Sequence, residues 1–415
     1  IYTRQLADPD IGLRVTGRSG RQAYGVVVGR DATTQILAPD PNALGSGFRF
    51  LDQDADALFG RYRLDLDTST SLGAVLTHRS GDDYRNTVAG IDGRWQRGAH
   101  TVTAQWLRSD SRYPDLPDPR NPARRLFPDV DPVGDAMLAR YGFGNRHWNL
   151  NLSYNRIDPG FRADLGFINQ IGYEKPVIGG GYTWYGKEGA KINRISYYAD
   201  WDITHRHDGQ LLERELEGYV RVNGPRQSEV SLAGLTRERF WDGALFNERW
   251  LSLFSQMTFQ TGIRGSLYLR RGQQLDLGAA RTGTIEEWEP SVNLDIGRGF
   301  NLNLLYSRQR LLRDGGTAFE AAVLDGRASW QFDPRQRLRL SVQASEVERD
   351  PRLYARPVER RSRDIAAQLL YAYKLNPRSA LYLGYSHAGY ADDLQTSLTD
   401  SGRNLFMKLS YAWQP

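Results

Sequence analysis

The sequence contains no cysteine among its 415 residues. A disulfide framework, a catalytic thiolate and a cysteine-based metal site are therefore excluded. Long apolar runs are missing too, because no stretch approaches the roughly 18–20 consecutive apolar residues that a membrane-spanning helix needs. The mean hydropathy of −0.58 would fit a soluble protein. Transmembrane strands, however, show only alternate side chains to lipid, so spanning by strands remains compatible with this value.

Neither sign of charge dominates the sequence, which has 54 basic and 49 acidic residues and a net charge of +5. Nucleic-acid binding would need a strong basic block, so we expect no nucleic-acid partner. Aromatic residues and glycine are abundant, at 22 Tyr, 15 Phe, 10 Trp and 42 Gly. This composition is typical of a protein with many strands and turns.

Apolar and polar residues alternate with a period of two from one end of the chain to the other. In residues 147–158, one face carries Trp148, Leu150, Leu152 and Tyr154, and the other carries Asn149, Asn151, Ser153 and Asn155. Successive side chains of a strand point to opposite faces, so one face is apolar and the other polar. At helical spacing the polar residues would surround the axis, so strands are predicted.

Two kinds of connection alternate between these segments. Ten are short and turn-like, around residues 17–20, 67–69, 97–100, 144–146, 186–190, 223–227, 261–262, 297–299, 333–336 and 376–379. Others are longer and polar, such as 31–54, 110–134, 158–170, 272–283, 350–360 and 391–402. Outer-membrane barrels have tight periplasmic turns and long extracellular loops, which is the same arrangement.

The ten short turns join twenty strands, and residues 403–413 add one more. Because an antiparallel barrel closes with an even number of strands, residues 1–5 are predicted as a short additional strand. The fold class is therefore all-β: a transmembrane antiparallel β-barrel of about 22 strands, with 20 as the alternative. It is expected to form a single domain over residues 1–415. A soluble repeat fold such as a propeller is less consistent with the alternating connections.

Large aromatic residues lie near the short-turn ends of the predicted strands, on or beside the apolar face. Amphipathic rings favour the headgroup level of a membrane, where they form girdles. The predicted girdle consists of Trp95, Trp148, Trp184, Phe259, Phe300, Trp330 and Trp413. In a soluble all-β protein the same residues would be core residues.

Charged residues on the polar faces are predicted to point into the lumen, with basic and acidic residues separated along the chain. The basic set is Arg61, Arg63, Arg94, Arg337 and Arg339, and the acidic set is Glu213, Glu215, Glu217, Glu287 and Glu289. Facing walls of opposite charge would produce a transverse field that tunes what passes through a pore. Alternatively, these charges pair with one another and fill a wide interior. A charge facing lipid would be costly, so the inward position is expected in both cases.

Motifs that carry chemistry are weak in this sequence. His205 and His207 share a strand face near Asp200, Asp202 and Asp208 and could hold a metal, but polar strand ends commonly have this composition. No catalytic residue, cofactor or metal site is predicted. The proline-rich stretch 110–134 could fold into the lumen as a constriction, cap the mouth, or be a solvated surface loop.

Three segments carry a resemblance to a known family: DPDIGLRVTGRSGRQAYGVVVGRD at residues 8–31, GFRADLGFINQ at 160–170 and RNLFMKLSYAWQP at 403–415. They resemble a bacterial outer-membrane β-barrel family of unknown function. Its members typically carry, before the barrel, a domain similar to the family-nine carbohydrate-binding modules, which is not part of these 415 residues. The resemblance implies a bacterial outer-membrane location and a link to saccharide that no residue here can be assigned to.

The last segment of the chain also implies partners. Leu405, Met407, Leu409, Tyr411 and Trp413 alternate as a barrel-assembly signal would. The barrel-assembly machinery is therefore expected as a transient partner. The predicted barrel is also expected to contact outer-membrane lipid and lipopolysaccharide.

Three functions follow as hypotheses. The leading one is a non-enzymatic channel or gated conduit linked to carbohydrate binding or transport, because a barrel of this size holds water or needs a plug. The absent module or inward loops would supply such a plug. The first alternative is a membrane anchor and surface platform for glycan binding or export without an open pore. The second is an outer-membrane hydrolase at the extracellular rim, for which only His205, His207 and the nearby aspartates offer candidate residues.

Overall fold

The computed structural model describes residues 9–39, 46–118, 121–125, 127, 129–297, 299–376 and 379–411. Within these residues the chain is almost entirely β-structure, with one short 3₁₀ helix at Pro351–Leu353. The strands are β1 Pro9–Ser19, β2 Gln22–Asp31, β3 Thr34–Pro39, β4 Ser46–Leu51, β5 Ala55–Asp65, β6 Thr70–Gly81, β7 Tyr84–Arg97, β8 His100–Arg112, β9 Pro117–Asp118, β10 Asn121–Arg125, β11 Val133–Gly144, β12 Trp148–Ile157, β13 Tyr173–Tyr185, β14 Arg194–Arg206, β15 Leu211–Asn223, β16 Glu229–Trp241, β17 Ala244–Gln260, β18 Ile263–Asp276, β19 Arg281–Ile296, β20 Phe300–Arg313, β21 Gly316–Gln331, β22 Gln336–Arg349, β23 Arg361–Asn376, β24 Ser379–Ala391 and β25 Thr399–Ser410.

Twenty-one of the described strands belong to one sheet, while β3 with β4 and β9 with β10 form separate two-stranded hairpins. Sequential strands pair antiparallel; for example, Val15 of β1 lies opposite Val26 of β2, and Val26 in turn lies opposite Gly60 of β5. The antiparallel all-β fold predicted from the sequence is confirmed, and the sheet has the 21 strands counted there. The further strand predicted for residues 1–5 lies outside the described residues.

The described chain divides into two compact units. The first comprises the residues up to Tyr182 together with Tyr198–Leu216 and Arg239–Leu245. The second comprises Thr183–Tyr197, Glu217–Glu238 and the residues from Phe246 onward. Each unit contains an uninterrupted series of strand pairs: β1–β2–β5–β6–β7–β8–β11–β12–β13 in the first, and β17 through β25 in the second.

One face of the sheet carries rows of exposed apolar side chains, and we call it the outer face. On β1 this row starts with Ile11, which is 71% exposed, and on β25 it includes Leu405, which is 84% exposed. The same alternation continues on strands between them, as with Leu72 and Leu76 of β6 or Leu340 of β22. Apolar surface of this extent is not stable in water, so these rows require an apolar surrounding such as lipid. The opposite, more polar face is called the inner face.

Among the described residues, the structure contains no helix that is long and apolar enough to cross a membrane.

Connection lengths at the two ends of the strands differ less regularly than the sequence predicts. At the end with the long loops, three connections are two-residue turns, at Asp82–Asp83, Asp242–Gly243 and Asp314–Gly315. Asp83, Asp242 and Asp314 adopt positive φ angles of 51°, 45° and 50°. Aspartate and glycine tolerate this conformation and therefore close tight hairpins. The predicted strict alternation of long and short connections is thus wrong at these three places. It is also wrong at the connection predicted as long over 272–283, because β18 and β19 are joined by only the four residues 277–280.

The outer face supplies a test of the membrane assignment. Leu340→Arg places a charge on the outer face of β22 and is expected to destabilise the folded protein in lipid by about 2–4 kcal/mol. Gln343→Arg places the same charge on the inner face of the same strand and is expected to cost much less. Urea titration of folding into phospholipid vesicles measures both, and equal losses would contradict the assignment of the two faces.

Candidate functional site

The connection between β12 and β13 carries fully buried side chains although it belongs to neither strand. It contains the 159–170 segment, in which Phe161 is 0% exposed and Leu165 is 2% exposed. Phe161 packs against Val88 of β7 and Ala136 of β11. These two residues lie on the inner face, because the exposed Ile91 and Met137 of the same strands are on the other one. The 159–170 segment therefore folds back onto the inner face of its own unit.

Two glycines make this close approach of backbones geometrically possible. A Cβ atom added to Gly134 of β11 would lie 2.3 Å from the backbone nitrogen of Phe161. A Cβ atom on Gly160 would lie 2.2 Å from the carbonyl oxygen of Val133. Real Cβ contacts are never this short, so neither position can carry a side chain unless the segment moves.

Polar side chains of β7 and β8 hold the backbone of the segment. The Ser109 hydroxyl accepts a hydrogen bond from the Arg162 amide at 2.9 Å. The Asn86 carboxamide accepts one from the Asp164 amide at 3.0 Å and donates to the Ser111 hydroxyl at 2.8 Å and to the Arg162 carbonyl at 3.2 Å. These side chains thus provide hydrogen-bond partners for the backbone of the segment and for one another, which buried polar groups need.

The carboxylate of Asp164 is the polar centre of this packing. It accepts hydrogen bonds from the hydroxyl groups of Tyr84, at 2.6 Å, and Tyr113, at 2.9 Å. Burial raises the pKa of Asp164 above its usual range, while the two tyrosine hydrogen bonds act in the opposite direction. Burial also raises the pKa of Tyr113 well above its usual value, so this phenol remains a donor.

Two further loops meet at the same place. Tyr84 and Tyr113 belong to a buried cluster with Ile36 and Leu51 of the β3–β4 hairpin and with Phe127. The rings of Tyr113 and Phe127 are stacked, with centroids 4.4 Å apart. The base of the proline-rich stretch 110–134 is therefore buried at the inner face. Asp115 and Arg125 of the same stretch form an exposed ion pair, so this part of the stretch is solvated.

A buried ion pair lies beside these loops. Arg79 of β6 donates to the Asp31 carboxylate of β2 at 2.8 Å, and both side chains are 0% exposed. Arg79 also donates to the Thr33 carbonyl at 3.3 Å, which ties the connection after β2 to the sheet. Removing one partner of such a pair typically costs about 3–5 kcal/mol, because the other charge is left buried and unpaired. Together, the three loops and this ion pair form what we call the loop plug of the first unit.

All ten charges predicted for the lumen lie on the inner face of their strands. Their neighbours along the same strands are exposed, apolar and on the outer face, as with Tyr62, Trp95, Leu216, Trp288 and Leu340. Several have partners of opposite charge. Arg61 donates to both oxygens of Asp92, Glu213 accepts from Arg239 at 2.9 Å and Glu287 accepts from Arg270 at 2.8 Å. At these positions the pairing alternative is the better description. Arg337 instead donates to the neutral Ser329 hydroxyl, at 3.4 Å.

The six described residues of the predicted girdle all lie within two residues of a short-turn strand end. Trp148 and Phe300 begin their strands, and Trp95, Trp184, Phe259 and Trp330 lie close to the ends of theirs. Five of them are exposed and Phe300 is half-buried. In the predicted assembly signal, Leu405, Met407 and Leu409 share one exposed face of β25 and Tyr411 follows it, also exposed. Trp413, which belongs to both sets, lies outside the described residues, and both roles stay predictions.

The weak histidine motif does not assemble into a site. In the part of the chain that the structure describes, no three His, Asp or Glu side chains are grouped as a metal site would require. The ring of His207 faces the Ile157 carbonyl at 3.2 Å and lies 3.7 Å from Asp158. These contacts fit a solvated strand end.

Known structures with the same fold are outer-membrane proteins. The chain is similar to the siderophore receptor PirA from Acinetobacter baumannii, with a TM-score of 0.56 and 8% identity over 94% of this chain and 74% of that chain. It is also similar to the siderophore receptor PiuA from the same organism, with a TM-score of 0.51 and 10% identity over 94% of this chain and 78% of that chain. No family model and no curated protein matches the sequence.

Identities this low establish the fold alone. The chain has the fold of a bacterial outer-membrane β-barrel, and its exposed apolar rows place it in the outer membrane. The short turns accordingly lie at the periplasmic end and the long loops at the extracellular end. The resemblance to a particular family with an N-terminal carbohydrate-binding module stays a prediction.

The buried carboxyl group of Asp164 makes the packing of the loop plug dependent on pH. Because its pKa is raised in the folded state, its stabilising contribution is fully present below the ordinary carboxyl pKa of about 4 and is lost as the pH rises through the raised value. Hydrogen exchange of the 159–170 amides, corrected for the intrinsic pH dependence, should thus show stronger protection at lower pH.

Asp164→Asn should abolish this dependence, whereas Asp115→Asn, in the exposed ion pair with Arg125, should keep it. Protection that is independent of pH in the unmodified chain would contradict the assignment.

Proposed function

We propose that the chain is a gated outer-membrane conduit whose extracellular mouth is closed by its own loop plug. The observation that carries this proposal is the 159–170 segment, which lies on the inner face with Phe161 fully buried. Barrels of about 22 strands have an interior wide enough to need a plug. A loop that only decorated a membrane anchor would have no reason to occupy that face.

The way in which the segment is held is suited to reversible opening. Much of its attachment consists of hydrogen bonds to Asn86, Ser109 and the two tyrosines. Water can replace such partners, so each bond contributes only about 0.5–1.5 kcal/mol net. Burial of Phe161 and Leu165 adds about 1.5–3 kcal/mol for each side chain. These terms favour the docked segment, and a solute that occupies the same face would compete with it.

The nature of the solute is the finer part of the proposal. The two similar structures are siderophore receptors by name. For this chain we propose only that a solute passes across the outer membrane, without assigning a siderophore. The link to saccharide rests on the resemblance described above. Swelling of liposomes that contain the protein, in solutions of neutral saccharides of increasing size, measures whether saccharides pass.

Removal of the 159–170 segment tests whether this segment closes the conduit. Replacing residues 160–169 by a short glycine-serine linker is expected to give larger and steadier single-channel currents in planar bilayers than the unmodified chain, by several-fold. Replacing residues 394–398, which are exposed in the connection before β25, removes a loop without touching the loop plug. This control should leave the current unchanged.

Absence of current from the unmodified chain and from both loop variants, with folding verified by heat-modifiable gel mobility, would contradict the conduit. It would favour instead the anchor and surface platform. Release of a saccharide product by the purified protein would favour the hydrolase.

A further inference from the structure

A cavity of the first unit lies at the periplasmic end, away from the loop plug. It has a volume of about 630 Å³ and lies where the turns after β1 and β5 meet the end of β7. Four arginines line it: Arg18, Arg21, Arg63 and Arg94. Two of these, Arg63 and Arg94, were predicted from the sequence as inward charges. We call this place the arginine cavity.

Strand register explains why the arginines surround open space. Arg18 lies opposite Ala23, which lies opposite Arg63, which lies opposite Gly73. In the next row towards the turns, Asp65 lies opposite Ser71, which lies opposite Arg94. Paired residues point to the same face of a sheet. Ala23, Gly73 and Ser71 are shorter than the arginines beside them. The space above Gly73 is taken by the Arg61 and Asp92 side chains, and the open volume lies beside Ser71 and Arg94.

The two acidic residues at the cavity are already engaged. Asp65 accepts from Arg18 at 3.3 Å and from Arg63 at 2.7 Å. Asp67 accepts from the backbone amides of Ser69 and Thr70 at 2.6 and 2.7 Å, and the Ser69 hydrogen bonds lower its pKa to about 2. Asp67 thus stays ionised in the turn and does not approach the arginines.

The other two arginines meet only neutral acceptors. Arg94 donates to the Gln96 side chain at 2.9 Å, and Arg21 donates to the Leu66 carbonyl at 3.0 Å. Among the described residues, no carboxylate lies within ion-pair distance of either one. The nearby pair of Arg61 and Asp92 is satisfied internally. The lining of the cavity therefore has an excess of positive charge, with four arginines and two aspartates.

The geometry points to an anion-binding site in the arginine cavity, specific for a small solute with two or more acidic groups, such as a polycarboxylate or a phosphorylated compound. Guanidinium groups bind carboxylate and phosphate through two parallel hydrogen bonds. Two of them, Arg21 and Arg94, remain available for this, and the Ser71 and Thr70 hydroxyls border the same space. A volume of 630 Å³ lies in the range of about 300–1,000 Å³ typical of small-molecule sites, which favours a small solute over a protein segment.

This inference rests on the proposed conduit for the route by which the solute arrives, and it adds the class of solute. A cationic inner face at the periplasmic exit would retain an anion that has passed the loop plug. It would also make the conduit prefer anions over cations.

Binding can be measured without any open conduit. Isothermal titration calorimetry of the detergent-purified protein with sodium pyrophosphate and with citrate, at 150 mM NaCl to screen diffuse attraction (about 8 Å Debye length), should detect binding. The double variant Arg21→Gln with Arg94→Gln should weaken it about tenfold or more, as the loss of charge-assisted hydrogen bonds predicts. The control variant Arg97→Gln with Arg112→Gln removes the same charge from exposed positions on the outer face and should bind like the unmodified chain.

No heat of binding in the unmodified chain, or equal weakening in both double variants, would overturn the anion site. A second measurement separates this inference from the conduit. In the chain that lacks residues 160–169, the reversal potential in a potassium chloride gradient should show preference for chloride, and the variant without Arg21 and Arg94 should lose part of it. Current without binding of pyrophosphate or citrate would support the conduit and contradict the anion site. Binding without current would support the anion site and contradict the conduit.

Discussion

Hydrogen bonding between neighbouring strands is the constraint on which the other features of this molecule depend. In lipid no water is available to backbone amides and carbonyls, so each membrane-spanning segment must satisfy them with an adjacent strand. The antiparallel ladder that results fixes the register, and the register fixes which side chains share a face. The exposed apolar rows, the ten inward charges and the arginine cavity all follow from this one geometric rule. A slip of one residue in any strand would move its charges into lipid.

The inner face of the first unit is used differently at its two ends. Towards the extracellular end it carries small and polar residues, such as Gly134, Ser109 and Asn86, which accept the backbone of a loop. Towards the periplasmic end it carries arginines around open space. In the proposed conduit, the same strands would supply a surface for closure at one end and a surface for anion binding at the other.

Much of this arrangement could be predicted from the sequence, since alternation with a period of two is a local property. The strands, their outer and inner faces and the inward position of residues such as Arg63 and Glu213 needed no tertiary information. The loop plug could not be predicted in this way. Tyr84 and Asp164, for example, are 80 residues apart in sequence, and nothing local distinguishes a docked loop from a solvated one. A usable signal was present, because Phe161 and Leu165 are apolar residues in a segment that alternation assigns to a connection. The sequence also does not predict which residues pair with the inward charges, as Arg239 does with Glu213.

The 159–170 segment is joined covalently to β12 on one side and β13 on the other, and this has a consequence for the speed of closing. An undocked segment cannot diffuse away, so it stays near its binding face at an effective concentration in the millimolar range, as for other short flexible tethers. Closing a chain loop of this length takes on the order of 10–100 ns before any rearrangement of side chains. Re-docking is therefore fast and independent of protein concentration. In the proposed conduit, the time for which the mouth stays open would then be set by the lifetime of whatever occupies the vacated face.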